Sequence, residues 1–173
     1  MTVFVKREKI MSNVEESKDS EEFRNIFNQL VEDIDCKRSE IPTILGISYD
    51  LFLKIADYGK IPTPRILIRI ADYFNVPLEY LLGKTKEKDF VKATTRKTFQ
   101  ERFKLLREKE AMSEYAVTQK LHVSTSYTAT WKKPQYLPSL DYLITLSEIF
   151  KVSLDYLLGR TDDPTPYKSI DSY

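Results

Sequence analysis

Few side chains in this sequence are equipped for covalent chemistry, and they are scattered. There is one histidine, His122, and one cysteine, Cys36. A lone histidine cannot assemble a metal cluster or a nucleophilic triad, and no glycine-rich phosphate loop is present. Cys36 has no basic or histidine neighbour at motif spacing beyond Lys37 and Arg38 and reads as an inert thiol at the end of the first helix. The acidic residues lie along amphipathic stretches without an evident pairing. No enzyme, cofactor or metal site is expected. What remains is non-covalent chemistry, concentrated in residues 124–133, STSYTATWKK, with its hydroxyls and its Lys132-Lys133 pair. Trp131 within this segment reads as core, and the lysine pair reads either as a phosphate contact or as a solvated helix end that complements the dipole.

Charge supports the first of those readings. The net charge of +1 conceals an asymmetry between segments. Residues 20–85 hold 8 Lys/Arg against 10 Asp/Glu, or −2, whereas residues 96–161 hold 11 against 7, or +4. The tail from Asp162 holds 1 against 3, or −2. If part of the chain meets a polyanion, it is the second segment. No apolar run reaches the ~18 residues of a membrane span. Met1–Ile10 lacks the apolar stretch of a secretory signal, and a single thiol suits a reducing cytoplasmic setting.

The elements that must position residues 124–133 come from a repeat. Shifting the chain by 76 residues aligns IPTPRILIRIADYFNVPLEYLLGKT (61–85) with LPSLDYLITLSEIFKVSLDYLLGRT (137–161), identical at 11 of 25 positions. Upstream, Phe23 pairs with Phe99, Phe27 with Phe103, Leu30 with Leu106 and Leu45 with Leu121. The expected organisation is an N-terminal arm (1–19), a first unit (20–85), a linker (86–95), a second unit (96–161) and a tail (162–173). Lys84–Lys97 reads as a solvated connection. Ten linker residues span at most ~33–36 Å. Thr2–Lys6 alternates weakly and reads as a short strand or an arm.

Inside each unit the period is helical. Phe23, Ile26, Phe27, Leu30 and Ile34 form one helix face, and Leu67, Ile70, Ala71 and Phe74 form another, matched by Leu143, Leu146, Ser147 and Phe150. Thr63 and Ser139, Ser48 and Ser124, and Ser153 stand where helices would be capped, and Pro77 suits a first turn. Gly83 and Gly159 supply left-handed ends. Five helices per unit are expected, with no convincing strand. Between the first helix and the Pro62 or Pro138 loop lie two short helices joined by a tight turn, with Gly46 or His122 at the positive-φ position. Val117 and Leu121 face inward from the first of the pair. This is helix-turn-helix spacing.

The stretch from Ser113 through Lys133, followed by Pro138-Ser139-Leu140 and the closing VSLDYLLGRTDDP (152–164), resembles the Xre/Cro phage-repressor family. The resemblance covers residues 20–164 and implies an all-α fold of two tandem five-helix lambda-repressor-like domains. It further implies a bacterial or phage transcriptional regulator, repressor-like, that occupies double-stranded DNA. Carried over by position, the base-reading slots fall on Thr125, Ser126, Ala129 and Thr130. Ser124 opens that helix, and Tyr127 is placed to reach the backbone or groove wall. Lys132 and Lys133 fall at its end for phosphates, and Gln119 and Lys120 lie on the preceding helix. No Arg, Asn or Gln stands on the reading helix for a bidentate base contact, so specificity rests on hydroxyls, methyls, shape and water.

The sequence departs from the family at Glu114, where Gln is usual, and at Thr118 and Pro42, where a small Ala is usual. Pro42 is tolerated only in a first turn, so the first unit's second helix is expected to be short and to begin near Ser39. The first unit's reading helix, SYDLFLKIAD, carries Asp50 and Asp57, which oppose a phosphate lattice. Its Tyr49, Leu51, Phe52 and Leu53 suggest a surface for a partner or for a homodimer. The alternative function is a helix-turn-helix fold turned protein-binding module, such as an antirepressor, an inhibitor of a nucleic-acid machine, or an antitoxin binding both protein and DNA.

Overall fold

A computed structural model describes residues 19–170, and the candidate strand or arm at Thr2–Lys6 lies outside them. The described residues form ten helices and no strand, so the fold is all-α. In chain order these are α1 (Glu21–Glu32), α2 (Ile41–Leu45), α3 (Tyr49–Tyr58), α4 (Pro64–Phe74), α5 (Leu78–Leu81), α6 (Phe99–Lys109), α7 (Glu114–Leu121), α8 (Thr125–Thr130), α9 (Leu140–Phe150) and α10 (Leu154–Leu157). None is long and apolar enough to cross a membrane. By packing, the chain parts into two compact units at Pro62/Thr63, a point inside the first sequence repeat.

In the first unit, α1 packs on α3. The Ser20 hydroxyl accepts from Phe23 N at 3.2 Å and caps α1, an interaction worth ~1 kcal/mol. The buried stripe Phe23, Phe27, Leu30 and Val31 then meets Phe52 and Ile55, with the Phe27 and Phe52 rings 6.0 Å apart. Pro42 sits in the first turn of α2, as its missing N–H requires, and α2 runs for five residues from Ile41 rather than from Ser39. Gly59 closes α3 at φ +70, and a Cβ there would stand 2.3 Å from the Ser20 carbonyl oxygen.

The second unit contains α4–α10, in which α10 packs on α5, α6 and α9, and α7 packs on α8. Thr98 and Glu101 form a reciprocal capping box at the start of α6. Thr63 and Ser139 occupy their expected N-cap positions without a side-chain hydrogen bond. Ser153 caps α10 by accepting from Tyr156 N at 3.1 Å, and Pro77 stands just before the first turn of α5. The 76-residue offset reappears in the backbone. α4 and α9 begin and end on equivalent residues, as do α5 and α10. Left-handed residues recur in pairs at the same offset: Gly46 and His122, Gly59 and Gln135, Asn75 and Lys151, Gly83 and Gly159.

Equivalence extends to the packing of α5 on α10. Leu78 N donates to Asp155 Oδ2 at 3.1 Å, and Leu154 N donates to Glu79 Oε1 at 2.5 Å. Each carboxylate stands one residue into its own short helix and receives the first N–H of the other. Arg160, fully buried, completes this cluster. Its guanidinium pairs with Asp155 and with Asp72 Oδ1 (2.8 Å), donates to the Val76 carbonyl (3.2 Å), and lies 4.4 Å from the Phe90 ring. Burial pushes Asp72 up, but the hydrogen bonds and charges of Arg96 and Arg160 hold it below the usual carboxylate range. Burial, together with the Asp155 charge, raises Glu79 to about 8. Burial also raises Asp155, against the pull of Arg160.

The stretch expected to be a solvated connection is exposed along much of its length but pinned by its backbone. Ala93 N donates to the Arg160 carbonyl at 2.8 Å, and Thr94 N donates to Asp162 at 3.2 Å. The tail is held too, with Ser153 N donating to the Pro164 carbonyl at 3.2 Å and Ile170 N to the Lys84 carbonyl at 3.1 Å.

Candidate nucleic-acid interface

The segment α7–turn–α8 is built from local signals. Ser113 caps α7 by accepting from Ala116 N at 3.1 Å. Val117, Thr118 and Leu121 bury its inner face. Thr118, the departure from a small Ala, fits because its hydroxyl donates to the Tyr115 carbonyl at 2.7 Å. His122 ends α7 at φ 55, matching Gly46 at φ 63. Ser124 then caps α8, accepting from Tyr127 N at 3.2 Å, as Ser48 caps α3 from Leu51 N at 3.2 Å.

The residues expected to read DNA separate into two groups. Ser124, Thr125, Ser126 and Ala129 are exposed on α8, and Gln119 and Lys120 are exposed on α7. Thr130 is half-buried, with its hydroxyl donated to the Tyr127 carbonyl at 2.6 Å. Tyr127 faces inward instead of toward a groove wall. Its ring lies 5.3 Å from Tyr142 and 5.7 Å from Trp131, and burial beside Tyr136 raises its hydroxyl to about 12. Trp131 is core, 1% exposed.

The helix is shorter than its sequence suggests, ending at Thr130. Pro134 disfavours helical backbone at Lys133, and Trp131–Gln135 turns instead. Lys132 and Lys133 therefore lie just beyond α8. Lys132 Nζ is 2.9 Å from Glu114, which also lies 3.4 Å from Arg107. The acid that would repel phosphate is thus neutralised by the lysine expected to bind it. Lys133 is exposed. Gln100 holds this turn in place, its amide donating to the carbonyls of Trp131 (2.9 Å), Lys133 (3.1 Å) and Tyr136 (2.8 Å).

The matching segment in the first unit is differently furnished. Tyr49 is 56% exposed at the start of α3 and Tyr58 is 69% exposed at its end. Phe52, expected on a partner surface, is fully buried against Phe27 and cannot meet a partner, because an apolar ring at that position completes the α1–α3 contact. Leu51 and Leu53 are half-buried on either side of it. Asp50 is paired with Lys54 at 2.7 Å and Asp57 with Arg38 at 3.3 Å.

Two positioning residues escaped the sequence reading. Arg102 is buried between Asp162 (2.7 Å), the Thr161 carbonyl (3.1 Å) and the Tyr156 ring (4.0 Å). Its signal is a charged residue inside the apolar stripe Phe99, Phe103, Leu106. Arg160 looked like an ordinary exit-motif cation until Asp72 and Asp155 came together around it.

The chain is 32% identical over 66 residues to a Bacillus subtilis (strain 168) protein named "Uncharacterized HTH-type transcriptional regulator YobD". The match spans 38% of this chain and 59% of that protein, so the chain covers about three-fifths of its relative's length. No family model matches the chain. No solved structure matches it. Over that span the chain is similar to a protein named as a helix-turn-helix transcriptional regulator, and its all-helical geometry is consistent with a helix-turn-helix fold.

Proposed function

We propose that this chain is a repressor-like transcriptional regulator of the Xre/Cro class, made of two tandem helix-turn-helix domains, and that it contacts duplex DNA with α7–α8. The observation that carries this reading is the outward face of α8. Thr125, Ser126 and Ala129 are exposed on a short helix aimed by a left-handed turn and a serine cap. Hydroxyls there can bond base edges, and the Ala129 methyl can pack on a thymine methyl. Lys120 and Lys133 supply the nearby cations for phosphates, and the +4 charge of residues 96–161 favours a polyanion.

The test is fluorescence anisotropy of the full chain against random duplex DNA from low to physiological salt. Binding whose log K falls linearly with log salt supports the reading. No binding at low salt overturns it.

A second reading concerns the first repeat. Tyr49 and Tyr58, exposed at the two ends of α3 beside paired acids, favour a protein partner or a second copy of the chain over DNA at that helix. On this reading α1–α3 serve dimerisation or partner binding. If the α8 face also fails to bind DNA, the whole chain is a protein-binding module of the antirepressor kind. Crosslinking through Tyr49→Cys, in a chain that also carries Cys36→Ser, reports on this surface. A specific adduct supports the reading, and a chain that stays monomeric and uncaptured removes it.

A further inference from the structure

A cavity of about 280 Å³ lies in the second unit, with Phe103, Val117 and Trp131 on its apolar wall and Arg107, Glu114 and Lys132 among its polar lining. The lining comes from α6, from α7, from α8 and from the turn that follows α8. We propose that this cavity binds a small organic anion with a flat apolar body, such as an aromatic carboxylate or sulfonate.

Three observations carry this. The wall is apolar where the ligand body would lie. Phe103 and Trp131 stand with ring centroids 5.7 Å apart at 69°, so they border the space edge to face, and Val117 is fully buried beside them. The polar part of the wall is donor-rich. Arg107 and Lys132 share one acid, Glu114, while Lys104 pairs with Glu108 just outside the lining at 3.9 Å, so the lining itself holds three cations and one acid. Finally, Arg107 Nε is buried without a hydrogen-bond partner, although the same guanidinium reaches Glu114 through Nη2 at 3.4 Å. A buried donor left unpaired is unfavourable. An anion entering beside Arg107 would satisfy it with a charge-assisted bond while sharing the cations that Glu114 now holds. A neutral apolar molecule would leave it orphaned, and a cation would add to the excess of charge.

Trp131 is the only tryptophan, so its emission reports on this wall alone. The probe is 1-anilinonaphthalene-8-sulfonate, with N-phenyl-1-naphthylamine as the body without the anion. Both are titrated into the full chain with no nucleic acid present, so the outcome is independent of DNA binding. Saturable one-to-one quenching of Trp131 by the sulfonate is expected, with the amine about tenfold weaker, the factor that a lost charge-assisted bond corresponds to. Arg107→Met keeps the apolar stem and should weaken the sulfonate about tenfold. Lys132→Met, at a solvent-facing position, removes a second cation without disturbing the core and should weaken it less. The proposal fails if Trp131 emission does not saturate, if the amine binds as well as the sulfonate, or if both variants, folded by circular dichroism, bind the sulfonate like the parent chain.

Discussion

The two exit segments, α4–α5 and α9–α10, coincide residue for residue at the 76-residue offset, while the two helix-turn-helix segments, α2–α3 and α7–α8, do not. α2 has five residues against eight in α7, and α3 has ten against six in α8. Pro42 shortens α2, and Pro134 cuts α8 off at a turn. The exit segments are constrained by each other, since α5 and α10 exchange N–H to carboxylate bonds at equivalent positions. A change in either would strand a buried polar group. The α2–α3 and α7–α8 segments present their outer faces to solvent and differ in charge, with Asp50 at the position equivalent to Ser126.

The largest effect that would sharpen this comparison lies at the exit. Arg160→Met removes the buried cation that bridges Asp72 and Asp155, leaving Asp155 without its charge partner while Asp72 keeps Arg96, and should destabilise the chain by roughly 3–5 kcal/mol. The equivalent Lys84→Met, at an exposed residue, should stay within about 0.5 kcal/mol. Urea unfolding of both variants measures this. Equal losses would mean that the two exits are not distinguished by burial.

The next largest effect concerns DNA. Ser126→Asp gives the second reading helix the charge of the first, and duplex affinity at low salt should fall roughly tenfold to a hundredfold. The reverse change, Asp50→Ser, should leave affinity within about twofold, because Lys54 already neutralises Asp50. Among the lysines, Lys133→Ala should reduce the magnitude of the salt slope by about 0.9. Lys132→Ala should change it less, because Lys132 is engaged by Glu114. A larger effect from Asp50→Ser than from Ser126→Asp would reverse the assignment of the reading helix.

Much of this fold was legible in the sequence because its signals are local. The N-cap positions, the glycine and histidine turns and most of the inward stripes stand where the spacing put them, but α1 ends at Glu32, so Ile34 and Cys36, expected on it, lie beyond it. The exposed face of α8 was legible in part. Thr125, Ser126 and Ala129 are exposed, but Tyr127 turned inward, because an aromatic cluster with Tyr142 and Trp131 outcompeted solvent. Phe52 was drawn into the core by Phe27, a partner 25 residues away in sequence. The Arg160 cluster was not legible, since Asp72 and Arg160 lie 88 residues apart and no periodicity links them.

The equivalent carboxylates Glu79 and Asp155 should also separate by pH. Glu79 has its pKa raised from 4.5 to about 8 in the folded chain. The folded state therefore holds a proton that the unfolded chain has lost, and stability should fall as pH rises between those two values and level off above. Glu79→Gln, neutral throughout, should flatten that fall and stabilise the chain above pH ~8 by about 1–3 kcal/mol, the cost of a buried unsatisfied group. Thermal unfolding from pH 5 to pH 9 checks this. A Glu79→Gln chain with the parent's pH profile would mean that Glu79 is ionised while buried.

The smallest effect lies at the turns that aim the two reading helices. Gly46 and His122 share the same left-handed backbone, at φ 63 and φ 55. A side chain there costs roughly 1–2 kcal/mol against the following carbonyl, and glycine avoids that cost while giving back part of it in unfolded-state entropy. His122→Gly should therefore stabilise the chain by about 0.5–1 kcal/mol, and Gly46→Ala should destabilise it by a similar amount. If the histidine is present only as a tolerated turn residue, duplex affinity should be unchanged in His122→Gly. If affinity falls while stability rises, His122, which is exposed beside Thr125, is itself part of the DNA-facing surface. The second repeat would then keep a strained residue for contact where the first repeat, with glycine, has none.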